Sequence, residues 1–73
     1  EMYCFIYYDI EHNKIRRLVV RALQQQGCIR VQKSVFFARL HRKRYHALTD
    51  LLRQIAQLYE NHDSIMLLPV GED

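Results

Sequence analysis

A chain of 73 residues has room for one small domain, which excludes an enzyme with a separate substrate domain. Hydrophobic residues make up 49 % of it, which excludes a disordered polyelectrolyte, and 2 cysteines are too few for a disulfide framework. No apolar run approaches the roughly 20 residues that span a bilayer, and no signal-peptide pattern is present. The sequence therefore predicts a soluble intracellular protein with no membrane partner.

Charge is concentrated in the middle of the sequence. The net charge is +3, but all 11 basic residues lie between Lys14 and Arg53. Asp50 is the one acid in that segment, and the other acids lie toward the two ends. A positive middle between negative ends favours a surface that faces a polyanion. The alternative is an ordinary solvated surface.

The first third of the chain predicts a strand and a helix. Residues 2–10 form an apolar, aromatic-rich run of strand length that does not alternate with polar residues, so both faces of the strand need cover. Asn13 is a suitable N-cap, and Gly27 stands where a left-handed residue ends a helix. The apolar face between them has helical spacing and consists of Ile15, Leu18, Val19, Ala22 and Leu23.

The remainder predicts a hairpin, a second helix and a last strand. Residues 29–32 and 35–40 are rich in β-branched and aromatic types, which favours two strands joined by a short turn. Residues 42–59 carry a second apolar helical face, which the polar stretch 60–63 ends. Residues 64–70 form a last apolar strand, with a proline near its end that cannot donate to a ladder.

The element order β-α-β-β-α-β predicts a single ferredoxin-like α+β domain over residues 1–73. In this fold two helices cover one face of a four-stranded antiparallel sheet. The first and last strands are apolar on both faces, so the uncovered face needs a partner. The simplest partner is a second copy related by a two-fold axis. We therefore expect a homodimer joined through the open sheet faces.

Asp9 is the candidate for metal chemistry. It stands at the end of the first apolar run, where a carboxylate could bind a hard cation such as Mg²⁺ or cap the turn that follows. A two-fold axis near the strand ends would bring both copies of Asp9 together. Glu11 is the other acid nearby, and His12 could accept a proton from an attacking water or be a solvated loop residue. A site with so few ligands leaves catalysis open, and any activity is expected to be weak.

Basic residues supply the candidate nucleic-acid contacts. They lack a base-reading signature, so contacts to the phosphate backbone are expected. Phe36 and Phe37 could stack on bases or pack in the core or the dimer interface. The candidate backbone contacts are Lys14, Arg16, Arg17 and Arg21 in the first helix, Arg30, Lys33 and Arg39 in the hairpin, and Arg42, Lys43 and Arg44 at the start of the second helix.

Several short motifs resemble one protein family. The first strand closes with Tyr7-Tyr8-Asp9-Ile10, Arg16 follows, and the segment after Gly27 reads Arg30-Val31-Gln32-Lys33-Ser34-Val35-Phe36. Gln32, Ser34 and Phe36 make that segment specific when a Tyr-Asp-Ile motif precedes it. The match extends over almost the whole chain. The sequence resembles the small CRISPR-associated adaptation proteins (Cas two).

The resemblance implies a function as well as a fold. Members are ferredoxin-like homodimers in the prokaryotic cytoplasm, and their strand-end aspartate, Asp9 here, is the assigned Mg²⁺ ligand in both subunits. The family implies metal-dependent endonuclease activity on single-stranded RNA or double-stranded DNA, with Asp9 as the catalytic residue. It also implies that the dimer bridges the CRISPR integrase during spacer acquisition. Members usually continue into a further strand that docks on the partner subunit, and we expect that strand to be missing from this chain.

A second function remains open from the residues. A toxin-like metal-dependent ribonuclease of related fold would use the same type of aspartate, and a neighbouring antitoxin gene would distinguish it. A small metabolite-sensing module of this fold is disfavoured, because the positive middle segment has no role there.

Overall fold

The computed structural model describes residues 1–58 and 65–72. Its elements are β1 (Met2–Tyr8), α1 (Asn13–Gln25), β2 (Ile29–Gln32), β3 (Val35–Leu40), α2 (Arg42–Leu58) and β4 (Ile65–Glu72). The strands form one sheet in the order β2-β3-β1-β4, and every neighbouring pair is antiparallel. This arrangement confirms the predicted ferredoxin-like α+β fold. No helix within the described ranges is long and apolar enough to cross a membrane.

The core lies between one face of the sheet and the two helices. Alternate residues of β1 and β3 are buried, as are the apolar stripes of both helices, although Leu18 of the predicted stripe is exposed. The strands contribute Cys4, Ile6, Tyr8, Phe36, Ala38 and Leu40, and the helices contribute Val19, Ala22, Leu23, Leu48, Leu52 and Ile55. The two cysteines are free and buried, as expected. Burial raises the pKa of the Cys4 thiol, and burial together with the Cys4 thiol raises the pKa of Cys28 to about 11.

The opposite face of the sheet is apolar and has no cover from either helix. Phe5 lies opposite Phe37 on one side and Leu68 on the other, and the rings of Phe5 and Phe37 have centroids 5.2 Å apart. Ile29, Met66 and Leu68 are 64, 60 and 44 % exposed, which is unusual for clustered apolar side chains. We call this surface the open face; by register and alternation its apolar residues are Tyr3, Phe5, Tyr7, Ile29, Val35, Phe37, Met66 and Leu68. Arg39, opposite Tyr3 and paired with Glu1, lies on the same side at one end.

The connection from β1 to α1 differs from the prediction at two points. β1 ends at Tyr8, so the predicted strand over residues 2–10 is two residues too long. The N-cap is His12, and the prediction of Asn13 was wrong: the first helical hydrogen bond runs from Arg16 N to His12 O, and His12 Nδ1 accepts from Ile15 N at 3.3 Å. The Asn13 side chain instead accepts a hydrogen bond from the Arg16 guanidinium. His12 therefore stabilises the start of α1 as a hydrogen-bond acceptor.

Gly27 ends α1 as predicted. Its φ of +80° lies in the left-handed region, which a residue with a Cβ adopts at a cost. Gly27 N donates to Gln24 O and Cys28 N donates to Leu23 O, both at 3.0 Å, which is the Schellman pattern. The reversal returns the chain to the sheet at β2, and the β2–β3 hairpin turns at residues 33–34, also as predicted.

β4 extends beyond the predicted strand over residues 64–70. It continues to Glu72 past Pro69, which is tolerated because β4 is at the edge of the sheet and the missing N–H can face solvent. Cys4 lies opposite Pro69 and Tyr3 opposite Gly71, so Val70 is the extra residue of a bulge. The predicted end of the second helix at Tyr59, the polar stretch 60–63 and the predicted strand start at Ser64 lie outside the described residues.

Candidate nucleic-acid and metal site

Asp9 lies directly after β1, at the carboxyl end of a central strand of the sheet. It lines a cleft of about 350 Å³, which we call the Asp9 cleft. The lining residues are Asp9, Ile10, Glu11, Arg16, Arg30, Lys33 and Ser34. Its carboxylate forms no hydrogen bond or ion pair with any residue in 1–58 or 65–72, so the structure does not support the alternative of a turn cap. The exposed Asp9 carboxylate, among three cationic side chains, therefore has both oxygens available as acceptors or ligands.

Tyr8 holds the Arg30 guanidinium in place in the same cleft. Its buried hydroxyl accepts a hydrogen bond from Arg30 Nη2 at 3.0 Å and donates one to Lys33 O at 2.8 Å. The Arg30 guanidinium carbon also lies 5.2 Å from the centre of the Phe36 ring, a cation–π distance. Since the Phe36 side chain is fully buried, it supports Arg30 from the core, and of the two alternatives left open by the sequence Phe36 adopts core packing.

Arg16 is the second guanidinium held in place at the cleft. Its Nη1 donates to Ile10 O at 3.0 Å and to Glu11 O at 3.4 Å, and its Nη2 donates to Asn13. These bonds tie the loop after β1 to the first turn of α1. They also hold the cation in one orientation, which lowers the entropy lost when it binds an anion.

A second groove, whose charged residues are all arginines, runs alongside α1 on the helix side of the sheet. This α1 groove has a volume of about 330 Å³ and is lined by Arg16, Arg17, Val20, Arg21, Gln24 and Arg30. Arg30 reaches it because its register partner, Phe36, points into the helix-covered core. Arg17, a predicted nucleic-acid contact, therefore lies beside the Asp9 cleft but not in it. Arg21, also in the predicted set, lines this groove, and Gln24 is a lining residue that the prediction had not included.

The predicted basic residues do not form one surface. Lys14 is exposed on the first turn of α1 and lines neither opening. Arg42 pairs with Glu72 where α2 begins, beside the start of β1, since Glu72 lies opposite Met2. Lys43 and Arg44 are exposed at the same end. The sheet thus separates these three residues from Asp9 by the length of β1.

The motif residues have structural roles that spacing alone did not reveal. Ser34 lines the Asp9 cleft and its carbonyl accepts a hydrogen bond from Tyr8 N at 3.1 Å. Gln32 is exposed on β2 opposite Val35. The motif therefore attaches the hairpin to the end of β1, where the first strand delivers Asp9.

One family matches the chain over nearly its full length: residues 2–73 match the family described as CRISPR associated protein Cas2. The chain belongs to the Cas2 family. The resemblance inferred from the Tyr-Asp-Ile and hairpin motifs is therefore confirmed.

Two relatives illustrate the match. The chain is 34 % identical over 56 residues to a protein of Pyrobaculum aerophilum named CRISPR-associated endoribonuclease Cas2 2; the aligned part covers 77 % of this chain and 62 % of that relative. The chain thus spans less than two thirds of the length of this curated Cas2 relative. A chain from the solved structure of a partial Cas6-RT-Cas1–Cas2 complex superposes with a TM-score of 0.78 at 27 % identity, covering all of this chain and 77 % of that one.

The carboxylate oxygens that line the Asp9 cleft are of the type that binds Mg²⁺. One subunit supplies few of them. No group of three or more potential metal-ligating side chains (His, Cys, Asp or Glu) occurs among the residues that the structure describes. Mg²⁺ is commonly held by one or two carboxylates, with waters and substrate phosphates completing its shell. The free carboxylate of Asp9 fits this mode of binding.

Proposed function

We propose that the chain acts as a homodimer in CRISPR adaptation in the prokaryotic cytoplasm, holding nucleic acid by its phosphates and joining it to the CRISPR integrase. The observation that carries the proposal is the open face in a chain of the Cas2 family. The similar solved structure is a complex that contains Cas1 together with Cas2, which supports an integrase partner.

The open face supports pairing of two copies. An aromatic row runs along it, with ring centroids of Tyr3 and Phe37 6.3 Å apart and those of Phe5 and Tyr7 6.2 Å apart. Large exposed apolar side chains flank this row. A two-fold axis across the sheet would remove this area from water on both copies at once. Because Asp9 follows β1, the strand that carries the row, pairing would bring the two Asp9 cleft regions toward one interface.

The basic side chains on the helix side support backbone binding. They remain accessible when the open faces pair, because the helices lie on the opposite side of the sheet. Binding through Arg and Lys contacts to phosphates releases counterions, so affinity should fall steeply with salt and depend little on sequence. Double-stranded DNA is the proposed main ligand, and single-stranded RNA presents the same phosphate chemistry.

Recovery of the integrase with this protein tests the adaptor function. The immobilised protein is incubated with the CRISPR integrase of the same genome, with and without duplex DNA. In a separate experiment the mass of the free protein is measured by sedimentation. We expect a dimer that retains the integrase, with retention strengthened by the duplex and weakened by moderate salt. A folded monomer at micromolar concentration, or no retention under either condition, would contradict the proposal.

A second candidate function is Mg²⁺-dependent endonuclease activity on RNA or duplex DNA. It is favoured by the unpaired Asp9 carboxylate beside three cations and by the name of the Pyrobaculum relative, which is an endoribonuclease. In a dimer, Asp9 of each subunit would hold the metal. Bound Mg²⁺ supplies a Lewis acid for phosphoryl oxygens and lowers the pKa of water.

The remaining residues of the Asp9 cleft have distinct roles in this reaction. Arg30 and Arg16 would orient the phosphodiester and stabilise the additional negative charge on its oxygens in the transition state. Lys33 adds a third positive charge at the mouth of the cleft. His12, whose Nδ1 accepts the Ile15 N–H, serves as the cap of α1. With so few acidic ligands we expect slow cleavage, measurable as loss of labelled substrate that requires Mg²⁺ and stops when the metal is chelated.

A further inference from the structure

The α1 groove is a feature of the helix side that the Asp9 cleft does not explain. Four of its six lining residues are arginines, and no acid lines it. Arg17 and Arg21 form no hydrogen bond or ion pair in the part of the chain that the structure describes. Their spacing of four residues places two like charges side by side on the helix, which is unfavourable without a counter-charge.

The α1 groove and the Asp9 cleft are adjacent and share two lining residues. Arg16 and Arg30 line both, and both guanidinium groups are fixed by hydrogen bonds to the loop after β1 or to Tyr8. An extended anion that reaches Asp9 therefore passes these two arginines and meets Arg17 and Arg21 next. The sign of the charge changes along this path, from mixed at Asp9 to wholly positive beside α1.

The dimensions of the groove fit a nucleic-acid backbone. From Arg16 to Gln24 the helix rises about 12 Å at 1.5 Å per residue, which is long enough for the groove to follow more than one nucleotide of a single strand. Guanidinium groups suit phosphate oxygens because they donate in a planar fork. Gln24, at the far end, offers a neutral amide that can bond a sugar or base edge.

We propose that the α1 groove binds the backbone of one nucleic-acid strand on one side of the phosphate held in the Asp9 cleft, with Arg17 and Arg21 contacting successive phosphates. This subsite deepens the proposed function and rests on it. It assigns Arg17 and Arg21 to one strand, extends the nucleic-acid surface to Gln24, and gives the bound strand a direction, from Asp9 toward the end of α1. The other end of the sheet, with Lys43 and Arg44, is not needed for this path.

Salt-dependent binding of oligonucleotides tests the subsite. Fluorescence anisotropy would compare the unaltered protein with Arg21→Gln on a labelled duplex DNA and a labelled single-stranded RNA, each about 20 nucleotides long. We expect Arg21→Gln to weaken binding roughly five- to tenfold and to lower the slope of log affinity against log salt by about 0.7–0.9. A larger loss on one ligand identifies which backbone the groove prefers.

Two further variants make the test specific. Arg53→Gln removes an equivalent charge from α2, where Arg53 pairs with Asp50 outside both openings, and it should leave the salt slope unchanged. Arg16→Gln should weaken binding because Arg16 lines both the α1 groove and the Asp9 cleft. If Arg16→Gln weakens binding but Arg21→Gln matches the unaltered protein in affinity and slope, the groove proposal is overturned and the proposed function stands. If the unaltered protein binds neither ligand, the proposed function itself fails.

Discussion

The hydroxyl of Tyr8 accepts a hydrogen bond from Arg30 at 3.0 Å, joining the last residue of β1 to a strand 22 positions further along the chain. The same hydroxyl donates to the carbonyl of Lys33, so one buried oxygen holds both β2 and the first residue of the β2–β3 turn. The next residue is Asp9. A core residue therefore positions a cation that lines the same cleft as the free carboxylate.

Replacing Tyr8 with phenylalanine should loosen this arrangement. Tyr8→Phe removes the hydroxyl and leaves the Lys33 carbonyl and an Arg30 donor without their partner, so the free energy of unfolding should fall by about 1–2 kcal/mol. Urea unfolding measures this loss, and anisotropy on duplex DNA should show weaker binding because Arg30 is no longer oriented. Tyr7→Phe is the matched control, since that hydroxyl has no partner within residues 1–58 and 65–72. Equal effects of the two changes would contradict this role for Tyr8.

Replacing Asp9 with asparagine should separate chemistry from folding. The Asp9 carboxylate bonds to nothing in the described ranges, so Asp9→Asn should alter the free energy of unfolding by less than about 0.5 kcal/mol. Mg²⁺-dependent cleavage should fall by at least roughly a hundredfold. Asp50→Asn, which changes an exposed carboxylate 3.4 Å from Arg53, should cleave normally. Undiminished cleavage by Asp9→Asn would assign the activity to another site or to a contaminant.

A charge on the open face should prevent dimer formation without unfolding the subunit. Leu68 is 44 % exposed in one copy and lies opposite Phe5, so Leu68→Glu is tolerated in a monomer. At a paired interface it would bury a carboxylate without a partner, which costs about 3–5 kcal/mol, or roughly a hundredfold or more in the dimer dissociation constant. Sedimentation velocity would show the shift. Leu58→Glu, on the exposed end of α2, should remain dimeric; a dimeric Leu68→Glu would exclude this interface.

Alkaline pH should destabilise the fold through Cys28. Burial, with a contribution from Cys4, raises the pKa of this thiol from 9.0 to about 11, so between these values the folded chain keeps a proton that the unfolded chain releases. The unfolded state then binds fewer protons, and the free energy of unfolding falls as pH rises, by about 2–3 kcal/mol in all. Urea titrations at about pH 8 and pH 11 measure the fall. Cys28→Ala should show a smaller fall, and an identical fall in both proteins would contradict this cause.

The element order was predictable because each helix and strand of this chain has its own periodicity or composition. Gly27 could be assigned because few residues other than glycine adopt a left-handed helix end. The cap at His12 could not be assigned, because it depends on which carbonyl accepts the first helical hydrogen bond. The bulge at Val70 could not be assigned either, because it depends on the register of Tyr3 against Gly71.

The candidate site was predictable only in part for a similar reason. Asp9 was identified from the end of an apolar run, which is a local signal. The Tyr8–Arg30 bond joins residues 22 apart and depends on the antiparallel order of β2, β3 and β1. The α1 groove likewise needs α1 and β2 to lie side by side, which sequence spacing does not report. Arg42, Lys43 and Arg44 were grouped with the cleft residues by charge, but the fold sets them at the opposite end.

The central position of β1 has a consequence for how the protein is made. It pairs with β3 on one side and with β4 on the other, so during synthesis β1 waits for a partner that is made more than 55 residues later. During that interval one edge of an aromatic strand is unpaired, a state that invites association between nascent chains. Slow translation of the segment between β1 and β4 should therefore lower the yield of native protein.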